Sequence, residues 1–256
     1  MVRGIEKFRE YFKDFPQSYV VIGGTACELV LGEAGLTARG TKDIDIILVI
    51  EALNKEFVTQ FWNFIKAAKY QRNEQSEGER KYYRFLNPEA EDFPMQIELF
   101  SKVPDTLTVA EGVQLTPIPI DDDLSSLSAI LMNEDYYAHT LANSSPQNEI
   151  MRANTEALIC LKACAYLDLK RRKEEGEKID EKNVRKHKND VFRLALLLTA
   201  EGVHEIPTSI HNGLQNFMNT VKPDLPDKAF FKEVGAAGVE PDAVFSALIQ
   251  KFGLNG

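Results

Sequence analysis

Apolar positions recur at two different spacings over the first hundred residues, and the alternation between them predicts alternating helices and strands. Ile5, Phe8 and Phe12 are spaced three and four apart, as on one face of a helix over Ile5–Phe12. "SYVVIGG" follows, with Tyr19–Ile22 a short continuous apolar run of the kind a buried strand makes, ended by a glycine turn. "TACELVLGEAG" then reads as a helix, with Thr25 as its cap and Gly32 or Gly35 as its end. "RGTKDIDIILVI" supplies a second strand, and Asn54–Tyr70 a second amphipathic helix carrying Phe57, Phe61, Trp62, Phe64 and Ile65. The order is αβαβα. "GERKYYRFL" and "MQIELFSKV" read as two further strands joined by the turn-rich "NPEAEDFP", with "TPIPI" and "LSAILM" as short edge elements. These elements together predict an α+β fold, a mixed sheet with helices packed on it.

From about Glu149 the period becomes helical throughout, in "NEIMRANTEALICLKACAYLDLKRRKEE", "KNDVFRLALLLTA" and "EPDAVFSALIQKFGL". "ANSSPQ" has the composition of a linker, so the boundary is expected near Ser144–Gln147. That gives an α/β domain over 1–145 and a helical domain over 146–256. No internal repeat is present, which excludes a solenoid.

Composition narrows the class. With 44% hydrophobic and 27% charged residues over 256 positions, the chain has the make-up of an ordinary globular protein. No apolar run approaches the ~20 residues that a membrane span needs. The opening "MVRGIEKFREYFKDF" has no apolar centre of the signal-peptide kind, so the expected location is cytoplasmic, with no membrane partner. Cys27, Cys160 and Cys164 have neither metal-ligand spacing nor an even count, and read as reduced, buried thiols. A net charge of −9 argues against a surface coated for nonspecific nucleic-acid binding. The run Lys170–Lys188 mixes both signs and reads as a solvated helix end and loop.

One feature of the second strand does not fit a purely structural role. Asp43 and Asp45 lie inside an apolar run, and strand alternation points both to the same face while Ile44 and Ile46 point to the other. Ionised carboxylates are costly to desolvate and repel each other, unless a divalent hard cation lies between them. Glu98 sits between Ile97 and Leu99 in a later strand; if that strand is a neighbour, it completes a three-carboxylate patch of the type used in two-metal phosphoryl chemistry. "IGGTA" offers a complementary device, because Gly23 and Gly24 between a strand and a helix let backbone N–H groups approach a phosphate.

In that order, "VIGG", "RGTKDIDI" and "MQIELF" resemble the nucleotidyltransferase superfamily, in which a Gly-Gly or Gly-Ser turn precedes an Asp-x-Asp strand and a later strand supplies a third carboxylate. The finer wording, "GGTA" followed by Arg39, Thr41, Asp43, Ile44 and Asp45, is similar to the AbiEii-type branch, the nucleotidyltransferase-like toxins of type IV toxin–antitoxin and phage-abortive-infection systems. The resemblance spans roughly residues 15–200.

The resemblance implies a nucleotidyltransferase-like sheet followed by a helical domain. It also implies transfer of a nucleoside monophosphate from a nucleoside triphosphate to a hydroxyl acceptor, with Mg²⁺ or Mn²⁺ on Asp43, Asp45 and Glu98. Gly23, Gly24, Thr25, Arg39 and Thr41 are the implied nucleotide contacts. Lys162 in "ALICLKACAYL" and Asp190 in "KHKNDVFRL" match the branch's later lysine and aspartate. Asn189 stands where a lysine is usual, and Arg193 where a second aspartate is usual. Lys162 lies in an apolar stretch, where its cation needs a negative partner or must reach solvent along its stem, and Asp190 has the alternative of capping a helix that begins "DVFRLALLL". His187 and His204 carry no metal-ligand spacing and are assigned no chemistry. An RNA 3′ end, a protein hydroxyl and a small antibiotic all fit as acceptors, an antitoxin protein is an implied partner, and a non-catalytic nucleotide- or partner-binding module of the same fold is the competing reading.

Overall fold

A computed structural model of the chain describes residues 2–72, 82–100, 133–199 and 202–256. Local sequence explains most of the first hundred residues. Helix α1 spans Ile5–Phe12 and buries Ile5, Phe8 and Phe12. Strand β1, Tyr19–Ile22, is buried at all four positions and leads directly into α2, Gly23–Glu33. Gly35, with φ of +72°, closes α2 by letting the Leu36 N–H reach back to the Leu31 carbonyl at 2.9 Å. Strand β2 is Asp43–Leu48, and α3 is Lys55–Ala68, capped by the Asn54 side chain accepting from the Phe57 N–H at 2.8 Å. Strands β3 (Gln71–Arg72), β4 (Tyr82–Leu86) and β5 (Gln96–Phe100) complete this half. The expected edge elements "TPIPI" and "LSAILM" lie outside the described residues.

The sheet is mixed, in the order β3-β4-β5-β2-β1-β7-β6, where β6 is Ser144–Gln147 and β7 is Ile150–Ala153. β1 runs antiparallel to β2 and β2 parallel to β5, placing Asp45 beside Ile22 on one side and Glu98 on the other. The two faces of the sheet differ sharply. One presents Tyr19, Ile44, Ile46, Ile97 and Phe85 to an aromatic layer from α1 and α3, in which Phe12 and Phe64 lie 5.2 Å apart and Phe61 meets Phe85 at 5.6 Å. By strand alternation the opposite face carries Asp43, Asp45, Glu98 and Arg84.

The structure corrects two sequence expectations. Ser144–Gln147 is not a linker but an edge strand, paired antiparallel with β7. Its polar side chains face solvent and Pro146 sits at an edge, where a missing N–H is tolerated, which is why its composition resembles a loop. Ile150–Ala153 is likewise a strand rather than the start of the long helix, because it pairs in parallel with β1 through Val21 and Arg152, a contact between residues far apart in the chain.

Two compact units result. The described residues of the first fall within Met1–Ala26, Gly40–Ile120 and Ser144–Ala153, and those of the second within Cys27–Arg39, Asp121–Asn143 and Asn154–Gly256. This partition differs from a single boundary at 145/146 in assigning 27–39 to the second unit and the 144–153 hairpin to the first. The second unit is built on α5, Thr155–Glu174, whose residues 157–163 are all buried. Around it are α4 (Glu134–Ala142), α6 (Glu181–Ala195), α7 (Thr208–Val221), α8 (Lys228–Val234) and α9 (Pro241–Phe252). No helix among the described residues is long and apolar enough to cross a membrane.

The β6–β7 turn places Asn148 at φ +47° and Glu149 at φ +61°, the paired left-handed conformation of a tight hairpin. Asparagine tolerates this and glutamate does not. Glu149→Gly is therefore expected to raise stability by about 0.5–1 kcal/mol, measured as a higher urea midpoint with an unchanged slope.

Candidate functional site

The carboxylate face begins with a steric fit. Gly23 has φ +66°, and a Cβ built there would lie 1.7 Å from Asp45 Oδ2. The Asp45 carboxylate thus occupies the space a side chain at Gly23 would take, against the start of α2, where backbone N–H groups lack helical partners. The first turn of α2 contains no acidic residue of its own. Thr25 does not act as the cap expected from the sequence, since the helix already starts at Gly23. Its fully buried hydroxyl donates instead to the Asp43 carbonyl at 2.5 Å, tying the first turn of α2 to the first residue of β2. Gly24 is buried in the same turn, and Thr41 lies half-buried just before β2.

Glu98 is brought beside Asp45 by the parallel β2–β5 register, on the same face. It is buried, and its carboxyl lies within hydrogen-bonding reach of Asp45. Burial pushes its pKa up to about 9, the negative charges of Asp45 and Asp43 add to the rise, and Arg84 opposes it. Arg84 is the residue that sequence reasoning missed. It stands directly opposite Glu98 in the antiparallel β4–β5 ladder and donates to Oε1 from Nε at 2.8 Å and from Nη2 at 2.7 Å. The Gln96 amide donates to the same oxygen. The hairpin connection is nine residues long, 87–95, so no turn signature fixed this register in the sequence.

The second unit holds its own charged cluster, built around a carboxylate. Asp190 is 2% exposed and lies in the interior of α6, not at its start; the cap is Asp180, whose carboxylate accepts from the Lys182 N–H at 2.9 Å. Lys162, 5% exposed on α5, does not reach solvent along its stem, and its Nζ is 3.4 Å from Asp190 Oδ2. Arg39 Nε is 3.3 Å from the same oxygen, and Arg193 Nη1 donates to Oδ1 at 3.0 Å. Arg193, the departure from the family pattern, falls one helical turn after Asp190 and stacks on the Phe230 ring at 4.9 Å. Burial alone would raise the Asp190 pKa, but Lys162, Arg39, His187 and Arg193 outweigh it and hold the carboxyl below its ordinary range. His187, assigned no chemistry from sequence, is thus part of this cluster. The structure therefore groups Gly23, Gly24, Thr25, Asp43, Asp45 and Glu98 in one unit, and Arg39, Lys162 and Asp190 in the other.

The donor set on β2 fits a hard divalent cation. Asp43 and Asp45 are half-buried on one face of the strand, and Mg²⁺ is commonly held by one or two carboxylates with phosphate oxygens completing its shell. Glu98 is less available, because its Oε1 already receives three N–H donors. In keeping with this, among the described residues no three His, Cys, Asp or Glu side chains are grouped so as to hold a metal ion.

No protein-family model matches the chain, and no curated protein matches it. Among solved structures, the chain is similar to the crystal structure of an antigenic nucleotidyltransferase-like protein from Paracoccidioides brasiliensis, with 14% identity over 96% of this chain and 99% of that one, at a TM-score of 0.42.

The Asp190 cluster has a defined pH signature. A carboxyl whose folded pKa lies below its ordinary 3.8 adds stability above that pH and loses it as the pH falls through 3.8 toward the folded value. Asp190→Asn leaves buried cations uncompensated and is expected to cost about 3–5 kcal/mol at neutral pH. The gap from wild type should narrow progressively below pH ~4. Urea unfolding at pH 7 and pH 3 measures both values, and an equal gap at the two pH values would rule out an ionised Asp190.

Proposed function

We propose that this chain is a divalent-metal-dependent nucleotidyltransferase, moving a nucleoside monophosphate from a nucleoside triphosphate to a hydroxyl acceptor. The observation that carries this reading is the seating of Asp45 against Gly23 at the start of α2, on the face that also presents Asp43 and Glu98. That juxtaposition joins acidic oxygens suited to a cation with unpaired helix N–H groups suited to a phosphate. Asp43 and Asp45 would hold Mg²⁺ or Mn²⁺, which supplies electrophilic activation of the phosphate and charge neutralisation. The backbone of Gly23, Gly24 and Thr25 would hold phosphate oxygens.

In the reaction, the acceptor oxygen forms a bond to the α-phosphorus while the bond from the α-phosphorus to the bridging oxygen of the β-phosphate breaks, releasing pyrophosphate. Glu98 would share the metal or help to take the acceptor's proton, the latter in its ionised form, which burial and the negative charges of Asp45 and Asp43 disfavour. In the second unit, Lys162, Arg39 and Arg193 all engage the carboxylate of Asp190. The AbiEii-type resemblance narrows the reading to a toxin acting on an RNA 3′ end or a protein hydroxyl, neutralised by an antitoxin protein. A non-catalytic nucleotide-binding module is the second reading, favoured by the ion pair that already engages Glu98.

Mg²⁺ and a nucleoside triphosphate added together should raise the melting temperature, since a ligand at ~100 times its Kd adds ~2.7 kcal/mol. Asp43→Ala with Asp45→Ala should abolish the shift, and an equal shift in the double variant would put the nucleotide elsewhere. Pyrophosphate release in the presence of RNA or protein acceptors separates the enzyme from the binding module.

The toxin assignment is tested by induction in a bacterial host, where the wild type should slow growth and Asp45→Asn, nearly isosteric but uncharged, should not. Equal slowing by both chains would make any toxicity non-catalytic.

A further inference from the structure

Thr25 places a fully buried hydroxyl in the first turn of α2, a setting where a valine of the same shape would leave no polar group to satisfy. Its one proton goes to the Asp43 carbonyl at 2.5 Å, so the hydroxyl has none to give a phosphate oxygen. The strand register explains why that carbonyl takes a side-chain donor. β1 pairs with β2 from Tyr19 opposite Leu48 to Ile22 opposite Asp45 and then turns into α2, so Asp43 lies past the last β1 pair. On its other side Asp43 is held in the β5 ladder, opposite Gln96. The Thr25 hydroxyl thus supplies, on the β1 side, the contact that a continued strand would have made from its main chain. Asp43 is also the first residue of β2, and chain ends of regular elements open most readily.

We propose that Thr25 is a positioning residue for the divalent ion, acting through the Asp43 main chain to hold the Asp43 carboxylate beside Asp45 at the start of α2. The inference rests on the reading that Asp43 and Asp45 take that ion. Asp45 has its own anchors, the pairing with Ile22 and the fit against Gly23. Asp43 lies beyond the β1 pairing, and Thr25 supplies an anchor for it from α2. Two carboxylates can share an ion only when both are held to within about 0.5 Å of the required geometry. Losing a group that orients a metal ligand costs about 10–100-fold in affinity. Thr25 therefore serves the site through strand β2 and not through contact with the nucleotide, from which its burial and its single donated proton withhold it.

Mn²⁺ alone is titrated into the full chain, and the loss of the free-ion electron paramagnetic resonance signal gives its Kd, with Asp43→Ala/Asp45→Ala as the blank. Thr25→Val keeps the shape of the side chain and removes the hydroxyl, and is expected to weaken Mn²⁺ by about tenfold or more. Thr25→Ser keeps the hydroxyl and should bind as the wild type does. Circular dichroism establishes that each variant is folded, and since Kd is a property of the folded chain, lost stability alone leaves it unchanged. Wild-type affinity in folded Thr25→Val would overturn the proposal. A weakening of about tenfold in Thr25→Ser would overturn it too, whether or not Thr25→Val folds. ATP titrated without metal should bind Thr25→Val and the wild type equally; a loss confined to ATP would make Thr25 a phosphate contact and sink the positioning role. Equal Mn²⁺ binding by the wild type and Asp43→Ala/Asp45→Ala would instead show that this face takes no ion, which removes the functional reading itself and this inference with it.

Discussion

The fold is organised around the cost of withdrawing carboxyl groups from water, partly on the sheet at Asp43 and Asp45 and fully at Glu98 and at Asp190 on α6. Asp43, Asp45 and Glu98 share one face of a sheet whose opposite face is an aromatic core, so they cannot turn away without breaking the strand alternation that buries Ile44, Ile46, Ile97 and Leu99. The chain accommodates them by local means. A glycine at positive φ leaves room for Asp45, a threonine ties the Asp43 backbone to α2, and an arginine on the next strand engages Glu98. Each of these is specific to its position: any side chain at Gly23 would overlap Asp45, and a one-residue slip of β4 would send Arg84 to the aromatic face.

The second unit solves the same problem with the opposite sign. There a single carboxylate, Asp190, is buried among cations from three separate segments: Arg39 in the connection before β2, Lys162 at the centre of α5, and Arg193 on α6 itself. The first cluster sets an arginine beside three carboxyl groups, while the second sets three cations around one. A surplus of negative charge on oxygen donors suits a hard cation, and a surplus of positive charge on forked N–H donors suits phosphate oxygens.

Much of this was legible in the sequence, and what was not has a common cause. The helix over Ile5–Phe12, the strand over Tyr19–Ile22 and the shared face of Asp43 and Asp45 follow from side-chain period, a property of neighbours in the chain. The start of α2 at Gly23 was misread, because the Thr25 hydroxyl donates to a carbonyl on β2 where a capping hydroxyl would accept from a helix N–H. The 144–153 hairpin was read as a linker and a helix start, because its pairing with β1 is a contact across more than a hundred residues. Arg84 was invisible for the same reason: its identity could be read, but not its partner.

Arg193 shows how a departure from a family pattern can be informative when it is read as charge. In the branch the sequence resembles, an aspartate is usual at that position, which would leave two carboxylates against Lys162 and Arg39 and a cluster of no net charge. Arginine reverses the sign there and changes the balance by two units, the charge of one divalent ion. It also reverses the role of the position, from repelling Asp190 to donating to it at 3.0 Å. In the first unit a guanidinium likewise engages a buried carboxyl group, Arg84 with Glu98.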